Sequence, residues 1–372
     1  MGVLGNTTLT GGTISGNAVL NLNDLDWQTG AFVNSGTTFT LNTMGNTLIS
    51  TAGTKELDNI TWNNGDGSGD AEVTWQSGDI NLDSASGATA IVNKDIVLAT
   101  GDNWFSETTP INTNTFTNQG TFSKAGGSGA TLFDDSLAFV NSGTVNAQSG
   151  TISFDNGFTQ TAGTLNLGDD ADTGIDSDDN NVVIQGGSVV GIGNIDTQGG
   201  QTQFSGGTLE PGNSPGIINF GGALVLGGTS SIILGLAGTG GVAGTDFDQI
   251  NAAGAVTLGG SVTLALFGGY TPTIGDAFPD LITSQISVTP PFGSIVNSTA
   301  TPGGPAGPAL PPGVAGPVSP AGPETSGVAP VADPFDLSPA LVALWDVTPN
   351  LWLQPSDNER LRNVRRWVLE CR

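Results

Sequence analysis

The stretch AFVNSGTVNAQSGTISFDNGFTQTAGTLNL, residues 138–167, decides the fold. Its opening heptapeptide, AFVNSGT at 138–144, occurs also at 31–37, and looser copies are TFTNQGT at 115–121 and GFTQTAGT at 157–164. AQSGTISF at 147–154 has the same form as WQSGDINL at 75–82 and WQTG at 27–30. The shared unit is a small residue, a glycine, then Thr, Ser or Asp, followed by alternating apolar residues. Glycine permits a positive-φ corner, the next β-branched residue opens a strand, and alternation turns every second side chain inward. Thr151-Ile152-Ser153-Phe154 and Thr164-Leu165-Asn166-Leu167 carry that alternation.

Working outward, the Thr-like positions of successive units are Thr13, Thr37, Thr54, Asp79, Thr121, Thr144, Thr164, Ser188, Thr208 and Thr229. Most gaps lie between 17 and 25 residues, and the gap from 79 to 121 is double. A ragged period near 20 residues suits one turn of a parallel β-helix, three short strands joined by turns. Asn34, Asn118 and Asn141 recur at equivalent corners, where stacked amides would hydrogen-bond from turn to turn. The alternative reading, in which Asn and Gly only mark the turns of a β-sandwich, stays open at this point.

Composition supports an all-β chain. Of 372 residues 58 are glycine, about twice the usual share, while Lys, Arg and Glu, which help to carry long helices, are scarce. Hydrophobic residues at 37% are enough for a core. The net charge of −26 reflects a lack of bases: before residue 360 these are Lys55, Lys94 and Lys124, and there is no histidine. Such a surface repels phosphate backbones, so nucleic acid is not an expected partner. No segment reaches the roughly 18 apolar residues of a membrane helix, and residues 1–12 show no secretory leader. If the protein is exported, this N-terminus is expected to be truncated or mispredicted. Cys371 stands alone and says nothing of the compartment.

Residues 204–283 change in style. Leu209-Glu210-Pro211-Gly212-Asn213-Ser214-Pro215-Gly216, Asp246-Phe247-Asp248-Gln249-Ile250, Gly259-Gly260-Ser261-Val262 and Gly275-Asp276-Ala277-Phe278 resemble the last passenger turns of bacterial autotransporters. The resemblance covers about 80 residues well, with the upstream repeats alike only in style. It implies a right-handed single-stranded parallel β-helix (solenoid) at the cell surface or released from it, often adhesive. The translocator barrel that follows such passengers, and a C-terminal hydrophobic anchor, are not found in the sequence. Four regions are expected: irregular repeats over 1–203, terminal turns over 204–283, a Pro/Gly/Ala-rich linker over 284–334, and a tail over 335–372. In the tail, residues 344–348 read as a returning strand, and the segment after Asn350 holds all five arginines. That end reads either as frameshifted or chimeric sequence or as a short basic amphipathic helix.

Candidate chemistry is sparse. The acidic run Asp169, Asp170, Asp172, Asp176, Asp178 and Asp179 offers oxygen ligands for a structural Ca²⁺, although it lacks the glycine and distal glutamate of an EF-hand loop; a solvated excursion is the plainer reading. Asn64-Gly65-Asp66-Gly67-Ser68-Gly69-Asp70 resembles one Ca²⁺ nonapeptide. Trp27, Trp62, Trp75 and Trp104 would be sugar-stacking platforms if exposed, but the alternation Ile60-Thr61-Trp62 and Val73-Thr74-Trp75 puts two of them among core residues. A polysaccharide lyase needs an accessible base, and a hydrolase would have to use a carboxylate pair such as Asp134 with Asp135, or Asp169 with Asp170. The expectation is a non-enzymatic, surface-exposed or secreted structural or adhesin-like protein. A cell surface or a matrix polysaccharide is its expected partner, and apart from the Ca²⁺ candidate no cofactor is expected. Glycan binding through exposed tryptophans is the alternative, and a polysaccharide-active enzyme the remote one.

Overall fold

In the computed structural model, which describes residues 3–83, 87–107, 113–212, 214–278, 280–289 and 294–298, every regular element is a β-strand. The chain winds into a parallel β-helix. The first face stacks twelve parallel strands, from Val19–Leu22 through Asn114–Asn118 to Val288–Thr289. The second runs from Thr47–Ile49 through Thr121–Lys124 to Ser294–Ser298, and the third from Lys55–Asp58 through Ala130–Phe133 to Ile282–Ser284. The long N-terminal strands Thr7–Gly16 and Leu25–Asn34 bend round the corner between the second and third faces and serve both. Eleven steps of about 4.8 Å make the first face roughly 53 Å long.

Alternation along each short strand fills the interior. On the first face one inward column runs Leu41, Trp62, Ile91, Phe116, Phe139, Phe158 and Val182 in direct register. Phe116 stacks on Phe139 with centroids 5.0 Å apart and planes 8° apart, and Phe139 on Phe158 at 5.7 Å. On the third face Phe105, Phe133 and Phe154 form a second stack at 5.2 and 5.1 Å. Offset-stacked rings at such separations add to the burial of their large apolar area.

The expected amide ladder exists, at the corner between the first and second faces. Asn64 Nδ2 donates to Asn93 Oδ1 at 2.8 Å, Asn93 to Asn118 at 2.7 Å, Asn118 to Asn141 at 2.8 Å, and Asn141 to Gln160 Oε1 at 3.0 Å. Asn64, Asn93 and Asn118 also donate to the carbonyls of Ile96, Thr121 and Thr144, where the next coil enters its second face. All five amides are buried. Asn34 is not a rung. Its heptapeptide lies on the third face, with Ala31 beside Glu56, whereas the identical heptapeptide at Ala138 lies on the first, and Asn34 Oδ1 accepts from Gly36 N instead. Seven identical residues therefore occupy two phases of the coil, because their alternation satisfies either.

The column of unit-opening residues is real from Thr121 onward: Thr121, Thr144, Thr164, Ser188 and Thr208 lie in one register on the second face, and Ser231, not Thr229, continues it. The doubled gap hides a coil that opens with Ile96, which has the β-branch without the hydroxyl. The glycine before the five openers from Thr121 to Thr208 is required by close approach. A Cβ on Gly163, whose φ is 74°, would meet the Gly143 carbonyl oxygen at 1.8 Å, and one on Gly143 would meet that of Gly120 at 2.1 Å.

The coil runs on across residues 203 and 204 and past residue 284. Strand Gln201–Phe204 spans the limit between residues 203 and 204 and pairs in register on both sides, so the coil continues unbroken there. The linker expected from residue 284 is preceded by another coil, because Val288–Thr289 and Ser294–Ser298 pair with strands of the turn below. The rest of the linker and the tail with its arginines lie outside the described residues.

The ladder makes a test. Asn118→Ala strands the Asn141 oxygen and the Thr144 carbonyl in the dry interior, at a cost of about 3 kcal/mol. The loss is expected as a lowered urea midpoint. Because both residues share one chain of bonds, Asn118→Ala and Asn141→Ala together should cost clearly less than the sum of the single changes.

Candidate functional site

The predicted sites are placed one by one. Trp27, Trp62 and Trp75 are buried, which corrects the reading of them as sugar platforms. Trp27 and Trp75 make the same local bond, indole Nε1 to the carbonyl of Gly30 at 3.2 Å and of Gly78 at 2.8 Å, so Trp-x-x-Gly is a corner device. Trp62 Nε1 donates to Thr43 Oγ1 at 3.1 Å. Each polar tip is satisfied inside, and the apolar body stays in the core. Trp104 differs. It is 50% exposed on the third face, in register with Leu132, and its backbone N–H donates to Asp79 Oδ1 at 3.0 Å.

The acidic run is divided between two corners of the coil. Asp169, Asp170 and Asp172 lie on the excursion between the second and third faces. Asp176 stands on strand Gly174–Asp176, and Asp178 and Asp179 follow at the opposite end of that strand. Three of the six accept backbone N–H bonds: Asp170 Oδ1 from Asp172 N, Asp176 Oδ1 from Asp178 N, and Asp179 Oδ1 from Gly199 N of the next coil at 2.7 Å. Among the described residues no group of three or more His, Cys, Asp or Glu side chains is placed to hold a metal ion. The Gly-rich loop at 65–70 also has an internal anchor. Buried Asp95 accepts from the N–H groups of Gly67 at 2.9 Å, Gly69 at 3.0 Å and Ala71 at 3.2 Å. The loop thus turns its donors toward an anion, the reverse of a cation nest.

Sequence reasoning missed this use of acids. Asp24 accepts from Asn46 N, Asp79 from Trp104 N and Asp102 from Gly129 N, each in the following coil. Asp102 also meets Lys124 at 2.7 Å, and this contact holds its carboxyl below the ordinary range. Lys124 and Lys55 are both buried, and Lys55 Nζ is held by Thr51 and, at 3.4 Å, by the Ser77 carbonyl. Burial lowers the Lys55 pKa. Two of the rod's three lysines are thereby enclosed, so neither offers an accessible base to a bound uronate.

The fold does gather acids that the sequence scatters. Asp58 lies in register with Asp83, and Glu107, Asp134, Asp135 and Asp155 follow coil by coil toward Asp176 and Asp178 at the corner between the third and first faces. Burial first, then the neighbouring negative charges, raises the pKa of Glu56 and Asp155. Burial likewise raises Glu107. Asp134 is pushed up to about 6 by burial and by Asp135 beside it. The eligible pair, Asp134 with Asp135, therefore lies on the rod's outer corner, and Asp134 is its raised member. Among known protein families and curated proteins, none matches the chain.

The most enclosed acid is Asp248, in the DFDQI segment. It accepts from Gly216 N at 2.7 Å, Gly235 N at 2.6 Å and Ser214 Oγ at 2.9 Å, tying the 209–216 segment to the strand Ser231–Leu236. Burial outweighs these bonds and pushes its pKa up to about 7, with the negative charge of Glu210 adding to the rise. A pKa raised in the folded state gives stability that is complete below the usual carboxylate range and is lost as pH rises through about 7. Urea titrations of the native chain and Asp248→Asn should therefore diverge. From pH 4 to pH 8 the native chain is expected to lose up to about 4 kcal/mol relative to the variant.

Proposed function

We propose that the protein is a non-enzymatic, secreted or surface-exposed structural or adhesin-like rod that spaces and displays its faces through distributed contacts. The observation that carries this reading is the continuous interior. Side chains in register fill the rod from Leu9 to Ile282, and the amide ladder closes one corner. Such a solenoid adds length coil by coil and leaves its outer columns free to vary. The corner acids that accept bonds from the following coil act as braces, which suits a structural role better than a catalytic one.

The resemblance of residues 204–283 to autotransporter passengers supports a cell-surface or extracellular setting for the same reading. A second reading is favoured by one observation, the half-exposed Trp104 ring on a flat sheet face. On that reading Trp104, with hydrogen-bonding neighbours such as Ser106 and Asn81 on the same face, stacks on a sugar ring.

A glycan array separates the two. On the structural reading no glycan is retained at protein concentrations near 10 µM. Retention of a defined glycan that Trp104→Ala weakens at least tenfold would replace it with the glycan-binding reading. Release of saccharide from any bound polysaccharide would overturn both.

A further inference from the structure

The three faces differ in charge. Every outward residue on the first face, from strand Val19–Leu22 to strand Val288–Thr289, is Thr, Ala, Val, Asn or Gln. At its middle stand Ala90, Val92, Thr115, Thr117, Ala138 and Val140, two columns of short side chains over strands paired without a bulge. The second face is interrupted outward by Glu72 and Glu210, and the third by Glu56, Asp58, Asp83, Asp176 and Asp196. A chain of net charge −26 thus keeps one whole face neutral and flat.

That face has nothing to hold a charged ligand, and its outward columns carry no aromatic ring for sugar stacking. Its complement is a surface of the same kind, which a second copy of the chain presents. Strands of about four residues make the face ~13 Å wide, so with its ~53 Å length it covers roughly 700 Å². Two copies would bury about 1,400 Å², within the range of stable interfaces. The charge layout also selects the arrangement. With the rods antiparallel, the acid corners at Asp134, Asp155 and Asp178 would lie side by side. With the two-fold axis along the rods, each acid corner instead meets the partner's opposite corner, which carries fewer acids, Asp24, Asp66, Asp70 and Asp95, and has Lys94 to offset one of them.

We propose that the first face is a self-association surface and that two copies pack through it with their rods parallel. This pairing needs no ligand and stands apart from the spacer and glycan readings. Like charges on the two rods oppose it at low ionic strength, where screening is long-ranged.

Sedimentation equilibrium of the full chain near 100 µM tests it. The apparent mass is expected to double in about 0.5 M salt and to fall toward the monomer in about 0.02 M salt, where the Debye length is roughly 20 Å. Thr117→Glu with Val140→Glu should leave a folded monomer, by circular dichroism, in both buffers. Thr144→Glu with Asn146→Glu, on the second face, should behave as the native chain. If the glutamate variants fail to fold, cross-linking decides: in a Cys371→Ser background, Val225→Cys should oxidise to a disulfide dimer and Ile233→Cys should not. A native chain monomeric at every salt concentration, or equal effects from both pairs of glutamates, would overturn the proposal. So would retention on insoluble cellulose that the first-face glutamates abolish without any doubling of mass, since the face would then take a polysaccharide.

Discussion

The constraint on which the rest depends is that each coil must satisfy, in register, the polar groups and the shape of the coil beneath it. Parallel strands leave their hydrogen-bonding groups pointing up and down the axis, and a coil displaced by one residue would turn its apolar set outward. Phenylalanine therefore lies over phenylalanine from Phe116 to Phe158, and amide over amide from Asn64 to Gln160. A buried amide left without a partner is costly, whereas a completed ladder admits a single register. The ladder spans the middle coils. Ile184 and Phe204 continue its column above Gln160, where an apolar end leaves no amide unpaired.

The same constraint explains the charge. Asp24, Asp79, Asp95, Asp102, Asp179 and Asp248 accept backbone N–H bonds that a loop corner would otherwise leave unmade. A short carboxylate reaches such donors better than a long side chain does, and several of these bonds join successive coils. Much of the acidity is thus a by-product of corner chemistry. Many of the other acids lie on the third face and its corner, with Glu72 and Glu210 on the second, and the outward strand residues of the first face stay neutral.

Legibility differed with the range of the interaction. Strand alternation at Thr151-Ile152-Ser153-Phe154 is local, and it predicted inward and outward residues correctly. The stacking of Asn118 on Asn141 was readable because both sit in copies of one motif. Asn34 failed the same inference, since an identical heptapeptide on another face meets different neighbours. The rungs at Asn64 and Asn93 fall outside those copies, and their equivalence exists only through register. The buried tryptophans followed their flanking alternation, while Trp104 is exposed because Phe105 takes the inward position of a three-residue strand.

By itself the sequence determined an all-β chain, its ragged repeat and the inward and outward sides of its short strands, because these depend on residues adjacent in the chain or repeated along it. Only the tertiary structure decided which residues share a column. That set the meeting of Asp58 with Asp83, the enclosure of Lys55, Lys124 and Asp248, and the neutrality of one face in a chain of net charge −26. The physical reason is that corner loops vary in length, so successive rungs stand 29, 25, 23 and 19 residues apart. No fixed spacing can bring such positions together, and hydrogen bonding between coils does.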